Sequence, residues 1–220
     1  MSIELPFWLT CVACLCNYIT IINSIAISSA VLQTRFGFNE IEAGYFFTLP
    51  YVVAAVLSPM IGIFVTKFGY RMTVICVGQL INVIAHILLM TIPDCEKCTM
   101  SVVPYIMLGF SYATYAVVLW GSVPYMVEAR LLGTAFGFCT VSNNTGTLMA
   151  LPIMGKIQES TADVGYGYFW VEVFFACVGT LGFLSNLTAY FWDKKHRDNL
   201  LQSNMPLEEF ERYTQTRIST

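Results

Sequence analysis

The chain has 220 residues, 56% of them hydrophobic and only 11% charged, with a net charge of −3 and a mean hydropathy of +0.65. A soluble domain carries about 25% charged residues, so this composition excludes an ordinary water-soluble fold and belongs in lipid. No basic cluster with interleaved aromatics supports a nucleic-acid partner, and the first apolar run lacks a positive leader and is about twice the length of a signal-peptide core.

A membrane span needs about 20 mostly apolar residues. The chain accommodates six, predicted over 7–32, 44–65, 72–92, 102–127, 131–154 and 166–192. Residues 1–193 then form an all-α integral membrane bundle, and 194–220 a polar tail. In the first span Asn17, Thr20, Ser24 and Ser28 recur at 3, 4, 4 spacing, which puts them on one narrow arc. Such an arc faces other helices, through hydrogen bonds, or a water-filled cavity, but not lipid. Cys11 and Cys14 in the same span read as small apolar packing residues. A loop is predicted over Arg35–Ala43. The second span holds Pro50 and Pro59, which a membrane helix tolerates as kinks when neighbours satisfy the freed carbonyls. Between the second and third spans lie Gly62, Lys67, Gly69 and Arg71 with almost no loop, so these spans are antiparallel neighbours joined by a basic turn.

In the third span Gln79, Asn82 and His86 share a face; His86 is a packing residue or a proton relay. The loop after it, PDCEKC, holds Cys95 and Cys98. A local disulfide and a zinc site are both open readings there, although no His-x-x-x-His partner accompanies the pair. The fourth span is rich in Tyr and Gly. Its Trp120 lies away from either predicted end, where an interfacial belt does not account for it, so it packs in the core or stacks on a ligand. Glu128 and Arg130 in the next turn pair with each other or grip neighbouring helix ends. In the fifth span Gly133, Gly137, Thr140, Asn144 and Thr147 form a stripe, and its Gly-x3-Gly opening admits a close partner helix. The glycosylation sequons at Asn143 and Asn186 fall inside spans and are discounted. Glu172 is the acid within the sixth span; it is a functional site or gate, or it reaches water at the exterior end. The end of the tail is expected to be disordered. Six spans put both termini on one side, together with Lys67, Arg71, Arg130, Lys194, Lys195 and Arg197, against Arg35, Lys97 and Lys156 on the other. Both termini are therefore expected in the cytosol.

The turn SPMIGIFVTKFGYR resembles the signature loop of the major facilitator superfamily. Gly62, Lys67, Gly69 and Arg71 match it, while Thr66 stands where the loop has an acid and Tyr70 where it has its first arginine. The stretches GFSYATYAVVLWGSVPYMVEARLLGTAFGF, SNNTG and YFWVEVFF are similar to the C-terminal half of superfamily members that export dipeptides from lysosomes as uniporters. The resemblance implies helices seven to twelve of a twelve-helix fold, rocking against another half about a site near the midplane. It implies that the first and fourth spans line the cavity and that the second and fifth contact the other half. Candidate substrate-binding residues are Asn17, Thr20, Ser24, Tyr115, Trp120, Asn144 and Glu172, with Trp120 and Tyr115 as walls and Asn17 and Asn144 as hydrogen-bonding groups. The loop and gating set is Gly62, Lys67, Gly69, Arg71, Glu128 and Arg130. Implied partners are membrane lipid, a dipeptide, a missing N-terminal six-helix half or a second copy, and a glycosylated lysosomal membrane accessory protein; no cofactor and no metal are expected. No metal-ligand set, nucleophile–base pair or phosphate loop points to an enzyme. A truncated, non-transporting isoform that binds and regulates a full-length transporter is the alternative.

Overall fold

Rods long enough to cross about 30 Å of hydrocarbon account for nearly all of the structure, a computed structural model that describes residues 4–97 and 99–210. Among the described residues there are six: α1 (Leu5–Phe36), α2 (Glu40–Phe68), α3 (Arg71–Thr91), α4 (Thr99–Tyr125), α5 (Leu132–Ser160) and α6 (Tyr168–His196). Five of them are also apolar enough to span a membrane; α5 is not, because its middle reads SNNTGT.

The ends of the rods follow local chemistry. α1 stops at Gly37, whose φ of 61° is left-handed and whose N–H returns to Leu32 O, a glycine C-terminal cap. α2 starts on a capping box in which the Asn39 side chain accepts from the Glu42 N–H and the Glu42 carboxylate accepts from the Asn39 N–H. The loop predicted over Arg35–Ala43 is therefore only three residues, Gly37 to Asn39. Gly69 and Tyr70 alone separate α2 from α3. α5 continues to Ser160, past its predicted end, and most of the loop expected before the sixth rod is helical.

α1 runs through the middle of the bundle, against α6 on one side, α5 on another and α2 at its far end. α3 fills the angle between α6 and α4, and α4 lies along α2. Glycines mark the close crossings. A Cβ on Gly109 of α4 would sit 2.8 Å from the Pro50 carbonyl oxygen and 2.7 Å from Val53 Cβ of α2. On Gly146 of α5 it would sit 2.9 Å from Leu15 O of α1. By contrast Gly121, Gly133 and Gly137 have nothing within 4 Å.

Two apolar clusters fix the ends of the bundle. One, at the end where Glu4 pairs with Arg197 at 3.4 Å, contains Phe7, Met72, Leu119 and Tyr125. The other contains Leu32, Phe36, Tyr105 and Tyr168. There Arg35, 5% exposed, donates to Leu89 O, Ile92 O and Asp94. The tail expected to be polar from residue 194 instead turns back after His196, and Leu200, Leu201 and Phe210 join the first cluster. Three apolar residues in a polar stretch are enough to anchor it. The part expected to be disordered, beyond Phe210, lies outside the described residues.

Gly109→Val tests the crossing of α2 and α4. Overpacking of this kind costs about 1–3 kcal/mol, so the variant should unfold at a lower temperature in detergent. Gly137→Ala, made where a Cβ meets nothing, should not.

Candidate functional site

Polar side chains in the middle of the bundle find one another across helices. Asn17 of α1 donates to Gln79 Oε1 of α3 at 2.5 Å, and Gln79 donates onward to Gly179 O of α6 at 3.0 Å. Asn82 donates to Thr20 Oγ1 at 2.8 Å. One turn further along α3, His86 Nδ1 lies 2.7 Å from Glu172 Oε2 of α6. Toward the other end Asn186 donates to the Tyr115 hydroxyl at 2.7 Å. Every side chain in this seam is at most 1% exposed.

Asn17, Thr20 and Ser24 are all buried within the bundle. Asn17 and Thr20 meet α3 through Gln79 and Asn82, and Ser24 is buried on the same arc. Tyr115 is likewise enclosed rather than a wall, its hydroxyl held by Asn186. Glu172 does not reach water at a helix end. It is 1% exposed and sealed against His86, with the Phe175 ring 5.1 Å from the imidazole. The sequence singled out His86 and Glu172 separately; the fold makes them one pair.

Trp120 belongs to the other side of the bundle. Between Tyr115 and Leu119 α4 winds as a π-helix, then resumes at Trp120 and ends in a 3-10 turn through Pro124. Wide turns of this kind shift the face on which the following residues emerge and recur at functional sites. Trp120 emerges half-buried, in the last third of α4, and stacks on Phe136 of α5 with ring centres 5.9 Å apart and planes 18° from parallel. Tyr18 of α1 lies beside both Trp120 and Tyr112. Tyr112 in turn meets Tyr51 of α2 edge-on at 5.8 Å. Four helices thus contribute aromatic rings to one partly open face. Tyr18, Tyr51 and Phe136 carry no signal in the sequence, since an aromatic in a span reads as lipid-facing or core until its neighbours are known. Asn144 is exposed on α5, on the same outward stripe as Gly133, Gly137 and Thr140, whereas Asn143 turns inward to accept from Cys14 at 2.6 Å.

The loop residues separate into two groups. Glu128 and Arg130 pair with each other at 2.7 Å while both stay substantially exposed, so they grip no helix end. Lys67 is exposed, with its ammonium 5.4 Å above its neighbour Phe68. A Cβ on Gly62 would lie 3.5 Å from the Val117 side chain of α4. Gly69 and Arg71 are buried against the chain that follows α6. Cys95 is disulfide-bonded; Cys98 lies outside the described residues. Cys11, Cys14 and Cys139 are free and buried, packed between α1 and α5 with Cys11 and Cys139 sulfurs 3.9 Å apart. Among the described residues no three metal-ligating side chains converge.

The sequence model of the Major Facilitator Superfamily matches residues 9–210. The Homo sapiens protein described as lysosomal dipeptide transporter MFSD1 is 30% identical over 209 residues, covering 94% of this chain and 42% of the relative. The Danio rerio protein of that description is 28% identical over 190 residues, covering 86% and 39%, and that of Gallus gallus is 27% identical over 212 residues, covering 90% and 45%. The chain thus spans less than half the length of the curated relatives it matches.

Removing one member of a buried hydrogen-bonded pair costs about 1–3 kcal/mol, because the other is left without a partner. His86→Leu and Glu172→Leu should each lower the thermal unfolding midpoint sharply. The double Leu variant should recover a large part of the loss. Additive losses would show that the two residues do not act as a pair.

Proposed function

The chain belongs to the Major Facilitator Superfamily, and on that premise we propose that it forms one six-helix half of a transporter, equivalent to helices seven to twelve. The half moves a small solute by alternating access, without a covalent step. Its cargo is a dipeptide, exported from the lysosome, as the description of the relatives suggests. Both termini face the cytosol, where the basic residues Lys67, Arg71, Arg130, Lys194, Lys195 and Arg197 gather.

The observation that carries this reading is Trp120. A half-buried indole beyond a π turn, stacked on Phe136 and flanked by Tyr18 and Tyr112, forms a partly open apolar wall. A dipeptide side chain packs on such a wall, since aromatic surfaces give large contact area at little cost in conformational freedom. Asn144, exposed on α5, offers both a donor and an acceptor to the peptide unit. Among the described residues the cations lie at the ends of the rods, so the group that meets the dipeptide carboxylate comes from the other half.

The outward stripe of α5 supports docking of that other half. Gly133 and Gly137 leave open space where a side chain would stand, and small residues of this kind let helices in lipid approach closely. α2 offers a second contact, with Val52, Val56, Met60 and Ile63 all more than half exposed. The amide seam among α1, α3 and α6 keeps the half rigid while it rocks. The π turn of α4 and its 3-10 end supply the deformable part.

Flux of a labelled dipeptide into vesicles, measured on the chain assembled with the helices that complete it, tests this reading. Trp120→Ala should lower flux at least about tenfold, in line with the loss of a stacking anchor worth about 1.5 kcal/mol or more, at unchanged membrane abundance. Trp120→Phe should retain most of it. Equal flux in wild type and Trp120→Ala would remove Trp120 from the site, and tight binding to a full-length relative without any flux would favour the regulatory isoform.

A further inference from the structure

After His196 the backbone reverses through Asp198 and Asn199, both in the left-handed region at φ 52° and 61°, and runs back across the α2–α3 turn. On that turn the Tyr70 N–H donates to Gln202 O at 3.0 Å, and Arg71 Nη1 donates to Ser203 O at 2.6 Å. Gln202 donates to Thr73 Oγ1 at 2.8 Å. Gly69 is required for this approach: its φ is 78°, and a Cβ would run into the Gln202 carbonyl. The same segment holds the end of α4. The Tyr125 hydroxyl donates to Met205 O at 3.1 Å, the Phe210 ring lies 5.2 Å from the Tyr125 ring, and Arg197 donates to Tyr125 O at 3.0 Å. Asp193 anchors the reversal by accepting from the Leu201 N–H at 3.0 Å.

Arg71 joins the two contacts. It is 7% exposed, its guanidinium lies 4.0 Å above the Tyr125 ring, and its Nη2 donates to the Tyr125 hydroxyl at 3.1 Å. A cation this enclosed needs compensation, yet among the described residues Arg71 has no acid within ion-pair distance. Thr66 stands where the signature loop has an acid, and its hydroxyl is turned to Gly62 O at 2.8 Å. A backbone carbonyl, a phenol oxygen and an aromatic face take the place of a carboxylate.

We propose that residues 199–210 are a strap that substitutes for the missing acid of the α2–α3 turn and, through Arg71 and Tyr125, ties that turn to the end of α4. Trp120 lies five residues before Tyr125 on the same rod, so Arg71 and Tyr125 are positioning residues for its face of the bundle. The strap is defined by contacts within this chain and does not depend on the identity of the cargo.

Hydrogen–deuterium exchange of the full chain in nanodiscs tests the strap without any transport assay. A truncation after Asp198 should speed backbone exchange over residues 68–73 and 120–130 by at least about tenfold, with the seam residues 17–24 and 79–86 unchanged, because local opening is separable from global unfolding. Arg71→Ala should reproduce the effect at both segments. Arg71→Lys should not prevent it, since lysine cannot both stack on Tyr125 and reach two acceptors. Thr66→Asp should restore part of the protection at 68–73 in the truncated chain. Unchanged exchange at both segments after truncation would overturn the strap, as would an even loss of protection through all six rods. Failure of Thr66→Asp to restore any protection would overturn the substitution for an acid.

Discussion

Polar groups buried in lipid must be satisfied inside the protein, and that constraint shapes this bundle. Asn17, Gln79, Asn82, Thr20, His86, Glu172, Asn186 and Tyr115 meet one another or a backbone carbonyl, while Asn82 Oδ1, His86 Nε2 and Asn186 Oδ1 are buried with no partner among the described residues. Each contact joins two different helices, so together they hold α1, α3 and α6 as one block, with Tyr115 bringing in α4. Apolar packing in lipid cannot supply such a preference, because a lipid tail is as apolar as leucine. Directional hydrogen bonds can, since each one broken in hydrocarbon leaves a donor or acceptor with no water to replace it.

The asymmetry of the half follows. With Asn17 and Thr20 of α1 committed to α3, its Tyr18 side looks toward α4 and α5. On that side packing is looser: Gly121, Gly133 and Gly137 border open space, and the rings of Tyr18, Trp120 and Phe136 are partly exposed. α4 is the rod that belongs to both regions. Its first part lies against α2 through Gly109, its middle is pinned by Tyr115 to Asn186, and its π turn then swings Trp120 to the open face. The strap closes the system at the end bearing the termini by fixing Tyr125 on one side and Arg71 on the other.

Much of this was legible in the chain itself. Hydropathy and length marked five of the six rods, but the short basic turn at Lys67–Arg71 did not make α2 and α3 packed neighbours: α2 lies along α4, and α3 lies against α6 and α4. The arc of Asn17, Thr20 and Ser24 was legible as an arc, but periodicity gives the angle between residues on one helix and not the neighbour they face. The same gap separated His86 from Glu172, which lie 86 positions apart. The π turn has no residue signature, since YAVVL suits an ordinary helix equally well. The start of α2 was missed although Asn39 and Glu42 have capping-box spacing, because apolar content marks where lipid begins and not where hydrogen bonding begins. Leu200, Leu201 and Phe210 were hidden by the polar residues around them.

The proposed second six-helix body covers the face bearing Trp120 and the α5 glycine stripe. The most direct measurement is the protein mass per particle after extraction into lipid nanodiscs without detergent. A covered face predicts particles of at least about twice 24.6 kDa, whether the second body is part of the same polypeptide, a second copy or another chain. Particles holding a single 24.6 kDa chain and nothing else, with Asn144→Cys fully open to a lipid-soluble thiol reagent, would contradict it.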